Sequence, residues 1–186
     1  MVPTIERISA VLATAPQTAR LANLIAAEEQ AGVPPDPLRR LAALSVYVSD
    51  DGTRLAARLR LARDERERLE NMGRARQILL SSPKTIREAL YRLGSEHFMD
   101  LAIIKAATER RPDLAREWID CARSWSIPTF PVSGSDLLSR GMSPGPELGQ
   151  RLGSLEEEWI ASDFALSQSQ LLASLKPVNA ERKNTE

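Results

Sequence analysis

The sequence has very little of several residues that usually announce a function. Cysteine occurs once, at Cys121. No internal disulfide is therefore available, and a lone thiol fits a reducing compartment, which places the chain in the cytoplasm. Cys121 lies among apolar helical positions and reads as a packing residue. Histidine also occurs once, as His97 in LGSEHFMD, with Glu96 and Asp100 nearby. One imidazole with no cysteine partner is a poor nucleus for a metal site, and no strained nucleophile turn accompanies it. Aromatic residues are only 4% of the chain, too few for a set of base-stacking rings. No run of about 18 apolar residues occurs, so no segment reads as membrane-spanning and no membrane partner is expected. The opening MVPTIERISAVLATAPQTAR has neither a basic start nor an uninterrupted apolar stretch, and does not read as a secretory signal.

Net charge is also missing: 25 basic residues balance 25 acidic ones over 186 residues. The balance is not local. Residues 52–93 hold 11 Lys or Arg against 5 Asp or Glu, a surplus of 6, while residues 1–51, 94–130 and 131–186 carry −2, −1 and −3. A basic middle in a neutral chain points to a polyanionic partner. Arginines outnumber lysines 21 to 4, so a coding bias toward arginine accounts for the same pattern equally well.

What is present is helical periodicity. Strand alternation and hairpin turns between β-branched runs are absent. Pro34, Pro35 and Pro37 break one helix before Leu38, Leu41, Ser45 and Val48 recur at turn spacing. Asp50-Asp51-Gly52 reads as a turn before Leu55 and Leu59. Asp64 and Glu67 have the spacing of a capping box ahead of Leu69, Met72 and Leu79. Ser82 with Pro83 opens a helix that Gly94 ends or bends. Trp118 and Trp125 share a stripe opened by Pro112, and residues 127–131 form an extended link. Leu148, Leu152, Leu155 and Trp159 share another stripe, and a short helix spans about 167–175. These stripes predict a buried core that includes all three tryptophans. The fold class expected is all-α, an irregular multi-helix bundle with short Pro/Gly links. Its divisions are N-terminal helices over 1–33, a helical body over 34–130, a C-terminal helical hairpin and tail over 131–176, and a disordered tail over 177–186.

The most specific stretch is GSDLLSRGMSPGPELGQRL, residues 134–152. Two short helices flank a hairpin bearing Gly141, Pro144, Gly145 and Pro146, with Ser143 as a candidate cap. The second helix would begin behind a tight turn with unpaired N–H groups, an arrangement that attracts anions. Arg140 and Arg151 flank it and suit a phosphate. The alternative is a tight helix–helix corner whose glycines only permit close packing.

This pattern, G-x-D-L-L-x-x-G-x-x-P-G-P-x-L-G-x-x-L, resembles the C-terminal body of bacterial CCA-adding tRNA nucleotidyltransferases of the poly(A)-polymerase-like group. LEEEWIASDFALSQSQLL continues the likeness downstream, and DPLRRLAALSVY and LAARLRLARDERERL extend it upstream, over most of residues 34–175. The family commonly has Ser where this chain has Ala62, which moves the expected cap to Asp64. The resemblance implies a module that grips the acceptor and T arm of tRNA. The candidate phosphate contacts, read from the hairpin and the basic segment, are Arg140, Gly141, Ser143, Gly145 and Arg151 at the hairpin, with Arg87 and Arg92 on the basic segment. In the family a head domain uses an Asp-x-Asp pair to hold Mg²⁺ for transfer from CTP and ATP. No Asp-x-Asp occurs in this sequence. The expectation is therefore a tRNA-binding portion, inactive by itself and without its own cofactor, whose partners are tRNA and a head domain or head-containing chain. A helical protein–protein adaptor, or a decayed paralogue without RNA binding, is the alternative.

Overall fold

The structure is a computed structural model in which residues 17–175 are described; residues 1–16 of the N-terminal division expected over 1–33, and the tail expected over 177–186, lie outside them. Among the described residues there are nine helices and no strand, the all-α class read from the sequence. In chain order they are α1 (Thr18–Gln30), α2 (Pro37–Ser45), α3 (Ser49–Leu59), α4 (Arg63–Gly73), α5 (Pro83–Glu109), α6 (Pro112–Arg123), α7 (Gly134–Ser139), α8 (Pro146–Ala161) and α9 (Gln168–Ala173). They fall into two compact units, residues 17–127 and residues 128–175.

The first unit is built around the second half of α5. Every residue from Leu101 to Ala107 is buried, as expected of a helix covered on all sides. α1 packs against α5 and α6, while α4 packs against α3 and α5. Phe98, Leu24, Leu69, Met72, Leu101, Ile103 and Ile104 fill the centre. Each such side chain is worth about 1.5–3 kcal/mol of transfer free energy. The entry to α5 follows the sequence reading: the Ser82 hydroxyl accepts from the Thr85 N–H at 3.3 Å, and Pro83 occupies the first helical position. Gly94 sits at φ 74°, ψ 167°, and kinks α5 there.

Three local readings are corrected. Asp50, Asp51 and Gly52 are not a turn but the first turn of α3. The Asp51 carboxylate accepts from the N–H groups of Tyr47 and Val48 at 3.0 and 3.1 Å, so it closes the helix start from inside. The cap of α4 has not moved to Asp64. It stays at Ala62, whose N–H donates to the Glu65 carboxylate at 2.8 Å. Alanine cannot supply the accepting half of a capping box, but the returning glutamate keeps the other half in place. Val48 is half exposed and precedes α3 rather than continuing the α2 stripe.

Glycines set the α3–α4 pairing. A Cβ on Gly52 would lie 2.7–2.9 Å from the backbone of Leu69 and Glu70, and one on Gly73 would lie 2.5–2.6 Å from the backbone of Val48 and Ser49. The two helices touch main chain to main chain at these points, which only a residue without a side chain permits.

The second unit packs α7, α8 and α9 around Leu137, Leu155, Trp159, Ile160, Leu171 and Leu172. Trp159 meets Phe164 edge-on at 5.0 Å between centroids and Phe130 at 5.4 Å. Trp118 and Trp159 are buried as their stripes predict, but Trp125, Leu148 and Leu152 are half-buried. Trp125 lies past the end of α6, so its helical register no longer holds.

Candidate nucleic-acid interface

The hairpin over 139–146 is resolved into two separate devices. The first is the end of α7. The N–H of Gly141 donates to Leu138 O at 3.0 Å and that of Met142 to Leu137 O at 3.2 Å, with Gly141 at φ 88°. This is a Schellman ending, and it accounts for Gly141 without a ligand. Arg140, at the cap, donates from Nη1 to the carbonyl of Leu172 at 2.9 Å, so it ties α7 to the end of α9. At the other end of α7, the Ser133 hydroxyl and N–H lie 2.6 and 2.7 Å from the Asp136 carboxylate. That hydroxyl first, then the backbone N–H, hold Asp136 below the usual carboxylate range.

The second device is the start of α8. Ser143 does not cap it; Gly145 does, at φ 152°, ψ −176°. Only glycine takes this conformation freely, although a side chain there would meet open space. A serine two residues upstream is too early to reach the first helical N–H groups. Pro146 removes one of those N–H groups, and the Leu148 N–H is taken by Gly145 O at 3.1 Å. Glu147 also places a carboxylate in the first turn. The number of donors left for an anion is thus smaller than the sequence pattern suggests. Arg151 stands one turn into α8, partly exposed, with no hydrogen bond or ion pair among the described residues.

Arg87 and Arg92 belong to the first half of α5, in the other unit. Arg92 is exposed and pairs with Glu88 at 3.3 Å across one helical turn, a contact of about 0.3–0.5 kcal/mol. Arg87 is half-buried and engaged in contacts of its own. The structure brings Arg140, Gly141, Ser143, Gly145 and Arg151 into one unit and places Arg87 and Arg92 in the other.

The most heavily charged feature in the first unit escaped the sequence reading. Arg39, 3% exposed, donates from Nε to Glu28 at 3.0 Å, from Nη1 to Asp100 at 3.1 Å and from Nη2 to Pro34 O at 2.9 Å. Arg40 joins Glu28 from the rim. Arg68 spans Asp100 and Asp36 at 2.8 and 3.0 Å. Three guanidinium groups and three carboxylates therefore tie α1, α2, α4 and α5 together with no net charge. The paired carboxylates, the Asp100 hydrogen bonds first, raise the Arg68 pKa further above its ordinary value despite burial. Burial pushes Asp36 upward, but the Arg39 N–H and the Arg68 guanidinium outweigh it and hold the carboxyl below its usual range. One signal was legible: Arg39 precedes Ala42, Ala43 and Val46, all fully buried, by three, four and seven positions. An arginine in phase with an apolar stripe needs buried partners. Glu28, Arg68 and Asp100 lie too far away in sequence for any pattern to connect.

Among the described residues no group of His, Cys, Asp or Glu could hold a metal ion, and no helix is long and apolar enough to cross a membrane. His97 keeps Nδ1 at 3.3 Å from the Leu93 carbonyl, beside the Gly94 kink.

No protein-family profile matches the chain. The human mitochondrial CCA tRNA nucleotidyltransferase 1 is 31% identical over 158 residues, which cover 78% of this chain and 34% of the human protein. The zebrafish counterpart (Danio rerio) is 44% identical over 57 residues, 31% of this chain and 13% of that protein. A CCA-adding enzyme of Levilactobacillus brevis is 29% identical over 92 residues, 46% of this chain and 22% of that enzyme. The chain thus spans about a third of the length of the human relative it matches over most of its own length. Relatives named CCA tRNA nucleotidyltransferase cover 78% of this chain at 31% and 29% identity, which supports that family for it.

Proposed function

We propose that this chain is the tRNA-holding C-terminal portion of a CCA-adding tRNA nucleotidyltransferase of bacterial type, and that it grips the acceptor and T arm by shape and phosphate contacts. The observation that carries the reading is the likeness to CCA-adding enzymes over 78% of the chain. Double-helical RNA offers side chains its phosphates, its 2′-hydroxyls and its shallow groove, because its major groove is too narrow to enter. A helical protein rich in arginine and poor in aromatic rings suits that mode. Arg151 on α8 and the exposed arginines of the basic segment supply phosphate contacts, while Arg140 positions α7 against α9. Transfer of C and A from CTP and ATP with Mg²⁺ is assigned to a head domain outside these 186 residues, since no Asp-x-Asp is present in them. The protein works in the cytoplasm in this reading, with tRNA and that head domain as its partners.

The test has two parts. The 186-residue polypeptide incorporates no labelled nucleotide into tRNA, and it binds tRNA at low salt with a dissociation constant near the micromolar range of non-specific contacts. Arg151→Ala weakens binding to every duplex RNA alike, by about 1 kcal/mol. Incorporation above background would refute the division of labour, and absence of binding at low salt would refute the RNA reading. A second reading, a helical protein–protein adaptor, is favoured by one observation: Arg140 and Arg92 already have partners inside the protein. It predicts no RNA binding under the same conditions.

A further inference from the structure

We infer that Arg20, Tyr47 and Arg76 form a phosphate-binding site, at which the protein takes a phosphodiester of the RNA backbone. The three residues come from separate elements. Arg20 lies on α1, Tyr47 between α2 and α3, and Arg76 in the link from α4 to α5. The guanidinium carbon of Arg20 is 4.9 Å from the centre of the Tyr47 ring, and that of Arg76 is 5.9 Å from the same centre. Two cations thus share one aromatic ring.

The surrounding structure builds this arrangement. Gly73 lets the chain leaving α4 press directly on the backbone at Val48 and Ser49. Ala75 is buried, and its carbonyl accepts from the Lys105 ammonium at 3.4 Å. With Ala75 held inward, its exposed neighbour Arg76 reaches the Tyr47 ring. Arg20 is only 9% exposed and is pinned by Nη1 to Val46 O at 2.6 Å.

What is missing among the described residues is negative charge. Among the described residues neither Arg20 nor Arg76 pairs with a carboxylate, and the buried Nε of Arg20 has no hydrogen-bond partner. Elsewhere in the same unit, the buried Arg39 and the half-buried Arg68 together engage three carboxylates. Burial above all, with the Arg76 charge added, holds the Arg20 guanidinium below its ordinary range, against a favourable contribution from Tyr47. A bound anion would offset both the burial and the Arg76 charge at once. A phosphate suits two guanidinium groups because its several oxygens accept from both. Tyr47 adds a flat surface that fixes the two cations without neutralising them.

The identity of the ligand rests on the RNA reading above; the site itself does not. The test uses the full chain, wild type and Arg76→Gln, with Arg116→Gln as a control. Arg116 is exposed and pairs with Asp120 at 3.6 Å. Duplex RNA and tRNA are titrated over a range of salt, and thermal unfolding is followed against inorganic phosphate. Arg76→Gln is expected to weaken RNA binding about fivefold and to lower the salt slope by about one, as for loss of one phosphate contact. Arg116→Gln is expected to leave both unchanged. Equal RNA affinity for wild type and Arg76→Gln, or equal weakening by Arg116→Gln, overturns the inference. If the wild type binds no RNA, the RNA reading fails and inorganic phosphate decides the site: stabilisation present in wild type and lost in Arg76→Gln supports it, and no difference between them overturns it.

Discussion

Two groups of arginines in the first unit are handled in opposite ways. Arg39, Arg40 and Arg68 are set against Glu28, Asp36 and Asp100, charge for charge, and serve to lock four helices in register. Arg20 and Arg76 share one tyrosine ring and, among the described residues, no carboxylate. Desolvating a guanidinium costs several kcal/mol unless a partner offsets it. The first group has its partners in the chain. In the second, the buried Arg20 has no such partner among the described residues, and the inferred phosphate brings the negative charge. Arginine count alone does not distinguish the two, and that is why the surplus over residues 52–93 was a blunt guide.

The largest effect should come from unbalancing the neutral group. Asp100 accepts from both Arg39 and Arg68. Asp100→Asn keeps the shape and removes the charge, and should destabilise the fold by about 3–5 kcal/mol. Urea unfolding would show it as a lower midpoint at unchanged slope. A loss below about 1 kcal/mol would mean that the group contributes little.

Gly73→Ala comes next. Its Cβ would meet the backbone of Val48 at 2.5 Å, where no side chain can yield. A cost of about 1–3 kcal/mol is expected, as for other overpacked sites. Because the same contact positions Arg76, this variant should also weaken RNA binding, which the stability change of Asp100→Asn need not do. Measuring both quantities on both variants separates the two groups.

Acid provides a third probe. Asp36 and Asp51 are both held below their ordinary pKa. For each, burial pushes upward but is outweighed. At Asp36 the Arg39 N–H and Arg68 do this, and at Asp51 the Tyr47 N–H, Arg54 and the Val48 N–H do. The unfolded chain therefore takes up protons at a higher pH than the native one. The stability these groups supply is complete above their unfolded value of about 4 and is lost as pH falls through the lower native values. The urea midpoint should drop as pH falls below about 4, and Asp36→Asn should flatten that drop. The smallest effect is reserved for the uncompensated pair: Arg76→Gln should change stability by less than about 0.5 kcal/mol.

Much of the helical framework was legible because its signals are local. Ser82-Pro83, the Gly94 kink, Pro112, and the Leu155–Trp159 stripe each work within a turn or two of chain. Gly52 misled because an Asp-Asp-Gly run suits both a turn and an acidic first helical turn, and only the approach of α4 decides between them. The hairpin was legible as a hairpin, but the partners its residues find within the chain were not. Gly141 is used in a helix ending and Arg140 in a tie to Leu172, contacts made 32 residues away in the latter case. Arg20, Tyr47 and Arg76 carry no shared motif, since their meeting depends on a loop drawn in by Lys105 and Ala75.

The claim that this chain holds RNA through phosphate contacts is tested most directly by the salt dependence of tRNA binding to the wild-type chain. Log affinity should fall linearly with log salt, with a slope whose size counts the few phosphates neutralised, and with similar values for tRNA and an unrelated RNA duplex. A flat dependence, or no binding at the lowest salt, would contradict the account.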